Sequence, residues 1–481
     1  MPVARWRAPA RLVVLCSSLV ACGGGGAAGG AAASAPKASA IVPTIDSIVD
    51  ARLKTGQLAG VSVGVMKGAD TIVMKAYGKA DLELDVATPP HAVYEIGSVT
   101  KQFTAAAILQ LRDAGKLSLD DNITKYLPGY NTQGNTITVR HLLNHTSGIK
   151  GYTEMPVLGA IIARDLPRDT LVTLFSREKF DFPTGTGMIY NNSAYFLAGL
   201  IIEKLSGQSY PAYVKEHFYD KVGMKDGAYC SEKVPMKGKV KGYDVGPDPR
   251  APKPAAGDTT PPKLMLLNKG FLVHTWPYSA GSLCASIYDL VAWNRALHNG
   301  QVLPAASYTD ITTPSTLKDG TALRYAMGLA IRNVGGHRLI EHGGGINGFL
   351  SASHYYPDDS LTVVVLENTA GPVAPDAVAT DIALAILGKK ETPEVPYTGD
   401  LAALAGTYTG AGRGQAIDVK VAVEGKGLTV QFPGAPKPEP LRFIGNDTWE
   451  HKEDHVFFTP AKGGMQMRAD QTYGVYFLTK K

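Results

Sequence analysis

Apolar residues first recur at helical spacing at Ile41, Ile45, Ile48, Val49 and Leu53, which predicts a helix over 41–58. The period then drops to two. "AGVSVGVM" sets Val61, Val63 and Val65 on one face and Gly and Ser on the other, and "TIVMKAYG" follows after the turn sequence Lys67-Gly68-Ala69-Asp70. That pair predicts a β-hairpin. "KQFTAAAILQLRDA", 101–114, is apolar almost all round, as expected of a buried central helix, with Gly115 as its C-cap. Further helices are expected over 193–205 and 288–297. The stretch 231–281, rich in Pro, Lys and Gly, reads as a long loop forming a wall or lid near a site. Between 325 and 368 a meander is expected: "YAMGLAI", "HRLIEH", "FLSASHYY" and "LTVVVLEN", joined by "NVGG", "GGING" and "PDDS". A helix over 373–387 closes this part. Beyond the linker-like "GKKETPEVPYTGD", Ile417, Val419, Val421 and Val423 alternate, then Leu428, Val430 and Phe432. Residues 398–481 therefore read as a small all-β unit, a barrel or sandwich, with no catalytic constellation of its own.

The first residues change this picture only at the N-terminus. Arg5, Arg7 and Arg11 precede the short apolar run "LVVLCSSLV", which is too short to span a bilayer and has the form of an export signal. Leu19-Val20-Ala21-Cys22 resembles the lipobox of bacterial lipoproteins, which implies cleavage before Cys22 and lipidation of its thiol. Residues 1–21 are then a signal peptide, and 22–40, rich in Gly, Ala and Ser, a tether. The expected location is the bacterial cell envelope, lipid-anchored on the periplasmic side of the outer membrane, or else periplasmic or secreted. Of four cysteines, Cys230 and Cys284 remain in the exported part, an even pair that reads as a disulfide; two buried free thiols are the alternative. In the chain-entropy account such a crosslink contributes about 4 kcal/mol. A net charge of +5 with 19% charged residues, and no basic patch interleaved with aromatics, points away from nucleic acid.

The chemistry turns on which serine is reactive. "GVSVG", 60–64, fits the G-x-S-x-G pattern, but a nucleophile elbow needs strand, sharp turn and helix, whereas Ser62 sits inside a strand followed by another strand. Five serines have a lysine three residues on: Ser34, Ser98, Ser147, Ser176 and Ser315. Ser34 lies in the tether, Ser147 and Ser315 in turn-like stretches, and Ser176 in a charged run read as solvated. Only Ser98 opens a long buried helix after an extended segment. There Ser98 and Lys101 share one face, and a desolvated amine near a helix N-terminus has its pKa pushed down far enough to act as a base. The bland reading is an N-cap serine with a solvated lysine; the apolar surroundings oppose it, because lysine is rarely buried without a partner or a task.

Two further clusters could cooperate. "MIYNNSAY" offers Tyr190 as a second base or proton shuttle and Asn192 as an orienting amide just before a helix, or else a packed tyrosine and a helix cap. "EHGGGINGF" offers His342, Gly344 and Gly345 at the end of a strand, where glycines let a ligand approach the backbone and N–H groups can hold an oxyanion. A glycine-rich turn with a surface histidine is the alternative. His141 and His145 in "HLLNH" have metal-ligand spacing, but the adjacent glutamate of zinc proteases is missing, so no metal is expected. Asp120 and Asp121 read as turn caps.

S-x-x-K on a helix, then Y-x-N before a helix, then H-G-G on a strand, together with "YEIGSVTKQFTAAAILQL", "LSLDDNITKYLP", "ITVRHLLNHTSGI" and "IYNNSAYFLAGLIIEKLSG", resembles the class C β-lactamase and D-alanyl-D-alanine carboxypeptidase superfamily with its esterases. The resemblance covers 41–390, with 391–397 as linker; the unit at 398–481, opening "LAALAGTYTG", resembles the lipocalin-like domain of some relatives. It implies a mixed α/β fold: a mainly antiparallel sheet flanked by helices, a helical subdomain, and a separate small all-β domain. It also implies Ser98 as acylated nucleophile, Lys101 and Tyr190 sharing general base and acid duties, Asn192 positioning lysine and substrate, and the N–H groups of Ser98 and Gly345 as oxyanion hole. No cofactor is implied, and the partner is a small-molecule or peptide acyl substrate. His342 stands where the family's β-lactamases carry the lysine of K-T-G. A mostly neutral histidine there disfavours carboxylated substrates and favours esters or less anionic amides. The expectation is a serine hydrolase working through an acyl-enzyme. The alternatives are a carboxypeptidase or β-lactamase acting on cell-wall peptides or β-lactams, and a penicillin-binding sensor that is acylated without turnover.

Overall fold

The computed structural model describes residues 38–252, 260–390, 393–461 and 464–481. The leader, the lipobox cysteine, Ser34 and nearly all of the tether lie outside them. No described helix is long and apolar enough to cross a membrane.

The core is a seven-stranded antiparallel sheet in the order Ala330–Val334, His337–Ile346, Phe349–Tyr356, Leu361–Glu367, Gly60–Lys67, Asp70–Asp81, Val86–Ala87. Helices cover both faces. The first helix, Ala38–Leu53, and Pro375–Leu387 bury Val61, Val63 and Val65 on one side. On the other, Ile287–His298 lies so close to Gly64 that a Cβ there would sit 3.1 Å from a Val291 methyl. Gly64 in this strand therefore serves close helix packing. Ser62 is fully buried inside the strand, its Oγ 2.8 Å from the Tyr94 hydroxyl.

The helical part packs the buried helix Thr100–Asp113 against Asn192–Ser206 and the short Tyr278–Gly281. Pro375 starts its helix at the first turn, where its missing N–H costs nothing. The first helix ends at Leu53, short of 58, because the chain turns at Gly56 with φ +69°. "YAMGLAI" is mostly turn instead of strand: Gly328, at φ +72°, folds the chain over the serine helix, and a Cβ there would lie 2.6 Å from the Lys101 carbonyl. The long 231–281 stretch is not simply loop. It carries a hairpin, Tyr243–Pro247 with Leu264–Asn268, and is fastened by the Cys230–Cys284 disulfide.

The C-terminal unit is an eight-stranded antiparallel barrel from Gly406 to Lys480, closed by pairing of Gly406–Ala411 with Gly474–Lys480. Tyr408, Val419, Val430, Val456, Met467 and Leu478 fill it. The barrel is the separate all-β domain expected, and it is fastened to the rest of the chain. Its last strand also pairs with Met188–Ile189, in the register Gly474↔Ile189 and Val475↔Met188. A shared core of Met188, Tyr190, Leu317, Leu323, Tyr325 and Val475 lies at that seam. Arg332 crosses it, donating to Asp376 at 2.8 Å and to Glu453 of the barrel. Glu341, His354 and Asp376 come within metal-ligand reach of one another, but the Arg332 guanidinium lies 2.8 Å from Asp376 and 3.6 Å from Glu341. The positive charge those groups need is an arginine.

Candidate active site

The turn Gly97–Val99 leads directly into the serine helix. Gly97 has φ +50°, and a Cβ on it would meet the amide nitrogen of Gly345 at 2.9 Å. A Cβ on Gly344 would strike the Ile96 carbonyl at 2.1 Å. The glycines of the His337–Ile346 strand are there because the backbone before Ser98 runs against them, and that contact sets the Gly345 amide beside the serine turn.

Lys101 is fully buried, and its Nζ has three neighbours: Ala280 O at 2.7 Å, Asn192 Oδ1 at 2.8 Å and Ser98 Oγ at 3.1 Å. Burial pushes its pKa well below the ordinary lysine range, the charge of Arg413 pushes the same way, and Glu154 opposes. A neutral amine has two N–H bonds and one lone pair. The two shorter contacts are to carbonyl oxygens, which can only accept, so both N–H bonds are used there. The lone pair is left for the hydroxyl proton of Ser98.

Asn192 is not the helix cap of its alternative reading. The helix cap is Asn191, whose side chain accepts from the Ala194 N–H at 2.9 Å and donates to Ile149 O at 2.6 Å. Asn192 is thereby free to hold Lys101 with Oδ1 while its Nδ2 donates to Thr153 Oγ1 at 3.1 Å. The Tyr190 ring lies 4.7 Å from the Lys101 nitrogen. Its buried hydroxyl has no partner at full hydrogen-bond distance. Burial raises its pKa, and the nearby Ser98 opposes that rise.

His342 is buried beside these groups. Its Nδ1 faces the Gly343 carbonyl at 2.5 Å and its Nε2 the Tyr325 hydroxyl at 2.9 Å. A carbonyl can only accept, so Nδ1 carries the proton and Nε2 accepts from the tyrosine. Burial first, then Lys101, lowers its pKa to about 3. The ring is neutral at pH 7 and both its nitrogens are engaged within the protein. The unfolded chain, with histidine near 6.5, takes up this proton first. Stability from this group is therefore complete above pH 6.5 and falls as the pH drops towards 3. Thermal melts of His342→Gln should lose less Tm than the wild type between pH 7 and 4; equal losses would contradict the assignment.

The cleft in front of Ser98 holds about 270 Å³ and is lined by Ser98, Asn192 and Gly345 together with Leu158, Ile162 and Trp276. Trp276 and Leu272 come from the long stretch read as a wall. A larger surface cleft of about 650 Å³, beside Tyr219 and Met224, contains no serine. Among the described residues, the other serine–lysine pairs make no such site. Ser147 and Ser176 are buried, the latter against its reading as solvated, and Lys150 pairs with Asp181 at 2.8 Å. His141 and His145 do not converge: His141 Nδ1 accepts from the Thr138 N–H and His145 Nδ1 from the Asn191 N–H. Asp120 pairs with Arg140, and Asp121 caps Ser118.

Two side chains that the sequence reading passed over reach the site from the barrel. Tyr473, in the last hairpin turn, accepts from the Gly343 N–H at 3.1 Å and donates to Glu341 at 3.1 Å, while its carbonyl accepts from the Tyr190 N–H. Arg413, in the first hairpin turn, pairs with Glu154 at 2.5 Å, and its guanidinium lies 5.3 Å from the centre of the Tyr190 ring. An aromatic at a turn tip is the one signal that could have marked Tyr473; a single arginine among glycines gives none.

Sheet, serine helix and glycine strand define a class, and the chain belongs to it: the beta-lactamase family's model matches residues 45–387. Among curated proteins the chain is similar to Protein flp of Staphylococcus aureus (strain MW2), 28% identical over 345 residues, covering 69% of this chain and 64% of that protein. It is also similar to a D-aminopeptidase of Brucella canis, 27% identical over 332 residues, covering 69% and 60%. The chain thus spans less than two thirds of the length of these relatives. Among solved structures, the octameric penicillin-binding protein homologue from Pyrococcus abyssi superposes with a TM-score of 0.62 at 24% identity, covering 91% of this chain and 99% of that one. That share exceeds what residues 45–387 alone can supply, so the likeness extends beyond the family match.

Proposed function

We propose that the protein is a serine hydrolase that cleaves amide or ester bonds through an acyl-enzyme on Ser98. The reading rests chiefly on one observation: a fully buried Lys101, its pKa lowered by that burial, whose Nζ lies against two carbonyl oxygens and 3.1 Å from the Ser98 hydroxyl. Family membership and the D-aminopeptidase among the relatives support it.

In this mechanism Lys101 takes the proton from Ser98 as Oγ attacks the substrate carbonyl carbon. The oxyanion forms between the N–H groups of Ser98 and Gly345, which need no reorganisation to receive it. The carbonyl re-forms as the bond to the leaving amine or alkoxide breaks, and Tyr190 delivers a proton to that leaving atom, to be replenished from Lys101. Water then attacks the ester carbonyl and gives a proton to Lys101; as the bond from the acyl carbon to Ser98 Oγ breaks, Lys101 hands that proton to Oγ, and the acid product leaves. Asn192 keeps Lys101 aimed throughout.

The apolar cleft walls suit an apolar side chain on the acyl group, and amides of D-amino acids are the amide substrates to try first, after the relative's activity. Release of p-nitroaniline from a D-amino-acid p-nitroanilide, and of p-nitrophenol from a simple ester, should proceed with turnover and disappear in Ser98→Ala. A lasting penicilloyl adduct with no turnover of either chromogenic substrate would instead favour the sensor alternative.

A further inference from the structure

The chemistry at Lys101 needs the Asn192 amide one way round. With Oδ1 toward the amine, Asn192 accepts from Lys101 at 2.8 Å and leaves the lone pair of the neutral amine to Ser98. Turned over, the amide would present an N–H to that lone pair and occupy the base. The two ends of an amide have nearly the same shape, so packing does not choose between them. A hydrogen-bond partner of fixed polarity does.

That partner is Thr153, and its polarity is set by Glu154. A hydroxyl has one proton to give. Thr153 gives it to Glu154 Oε1 at 2.9 Å, because a carboxylate only accepts, so the hydroxyl oxygen is turned to Asn192 Nδ2 at 3.1 Å as an acceptor. A terminal nitrogen of Arg413 also donates toward that oxygen, at 3.5 Å. The carboxylate is itself held in place. Arg413 Nε, from the barrel turn, donates to Oε1 at 2.5 Å. The other oxygen is buried over Gly151, where a Cβ would lie 1.7 Å from it. Gly414 of the barrel turn passes so close that a Cβ there would lie 2.7 Å from the Glu154 Cβ, and Lys150 fastens the turn by donating to the Gly414 carbonyl at 3.1 Å. A continuous chain therefore runs from Arg413 through Glu154, Thr153 and Asn192 to Lys101, and the direction of each hydrogen bond in it follows from the one before.

We propose that Glu154, seated by Arg413 of the barrel, is a positioning residue of the hydrolase: through the Thr153 hydroxyl it locks the Asn192 amide in the orientation that keeps Lys101 available to Ser98. The proposal rests on the hydrolase reading above and deepens it. Glu154, Thr153 and Arg413 take no part in proton transfer. The charges of Arg413 and Glu154 act on Lys101 in opposite directions, so what the pair contributes is chiefly orientation.

The test is steady-state hydrolysis of p-nitrophenyl acetate by the full chain and four variants. Lys101 acts in both acylation and deacylation, so kcat carries the effect whichever step limits. Thr153→Val keeps the shape and removes the hydroxyl, and should lower kcat about 10- to 100-fold, the loss expected when a reacting group is misaimed. Thr153→Ser restores the hydroxyl and should lose far less. Glu154→Gln, which puts an amide of either polarity where an obligate acceptor stood, should lower kcat several-fold with little change in KM. Combined with Thr153→Val it should lower kcat no further, because both break the same chain. Wild-type kcat in Thr153→Val, an equal loss in Thr153→Ser, or losses that multiply in the double variant would overturn the proposal and leave the hydrolase reading intact. Where Thr153→Val does not fold, Glu154→Gln alone decides: undiminished kcat in it overturns the proposal. No hydrolysis by wild type, or equal hydrolysis by Ser98→Ala, would overturn the hydrolase reading and the proposal with it.

Discussion

Lys101→Ala is expected to lower kcat/KM on the order of 10⁴-fold or more while the protein stays folded, because nothing else in the cleft can take the Ser98 proton. His342 accepts from Tyr325, His145 accepts from the Asn191 N–H, and Glu154 is held by Arg413. Removing the amine leaves Asn192 Oδ1 and Ala280 O without their donor, at a cost of about 1–3 kcal/mol, which a melting curve will register without abolishing the transition. Lys101→Arg should be no better than alanine, since a guanidinium stays protonated and has no lone pair to offer. Retention of more than a tenth of wild-type kcat/KM in Lys101→Ala would remove Lys101 from the chemistry.

Truncation after residue 390 should be nearly as damaging. It takes away the strand that pairs with Met188–Ile189, immediately before Tyr190, and uncovers Tyr190, Leu317, Leu323 and Tyr325. Arg332 loses Glu453, and Arg324 loses its bond to the Glu453 carbonyl at 2.6 Å. A displacement of about 1 Å in a reacting group costs around 100-fold in rate, and the truncated chain is expected to lose at least that much. Tyr473→Phe separates support from folding. It deletes the acceptor of the Gly343 N–H and the donor to Glu341 while keeping the ring, and should lower stability by about 1–3 kcal/mol. A truncated chain with wild-type kcat/KM would mean that the barrel is a passive appendage.

What the sequence disclosed, and what it hid, follows from the range of the interactions. Ser98 and Lys101 are one helical turn apart, so their shared face is a local property, and the apolar run after them announces that the face is buried. Ser62 could be set aside for the same kind of reason, the period-two pattern around it. Local reading was less certain at Asn191 and Asn192, where two identical side chains compete for the cap; the choice depends on Ile149 and Lys101, neither adjacent in sequence. "YAMGLAI" has the composition of a strand, and its turn at Gly328 is imposed by the serine helix packed beneath it. The barrel's own alternation was plain. Its role at the site was not, because Arg413 meets Glu154 across 259 residues and no periodicity encodes a contact between domains. Hence the barrel, a separate domain as the sequence suggested, also shares a sheet edge with the catalytic part.

The most direct measurement is time-resolved intact mass spectrometry of the chain from residue 38, mixed with a p-nitrophenyl ester and quenched at intervals, with the adduct mapped by digestion. A transient acyl mass on Ser98, absent from Ser98→Ala and decaying as product acid appears, is the predicted result. An adduct on Ser62 or any other serine, or turnover with no acyl mass in the wild type and undiminished in Ser98→Ala, would contradict the acyl-enzyme account.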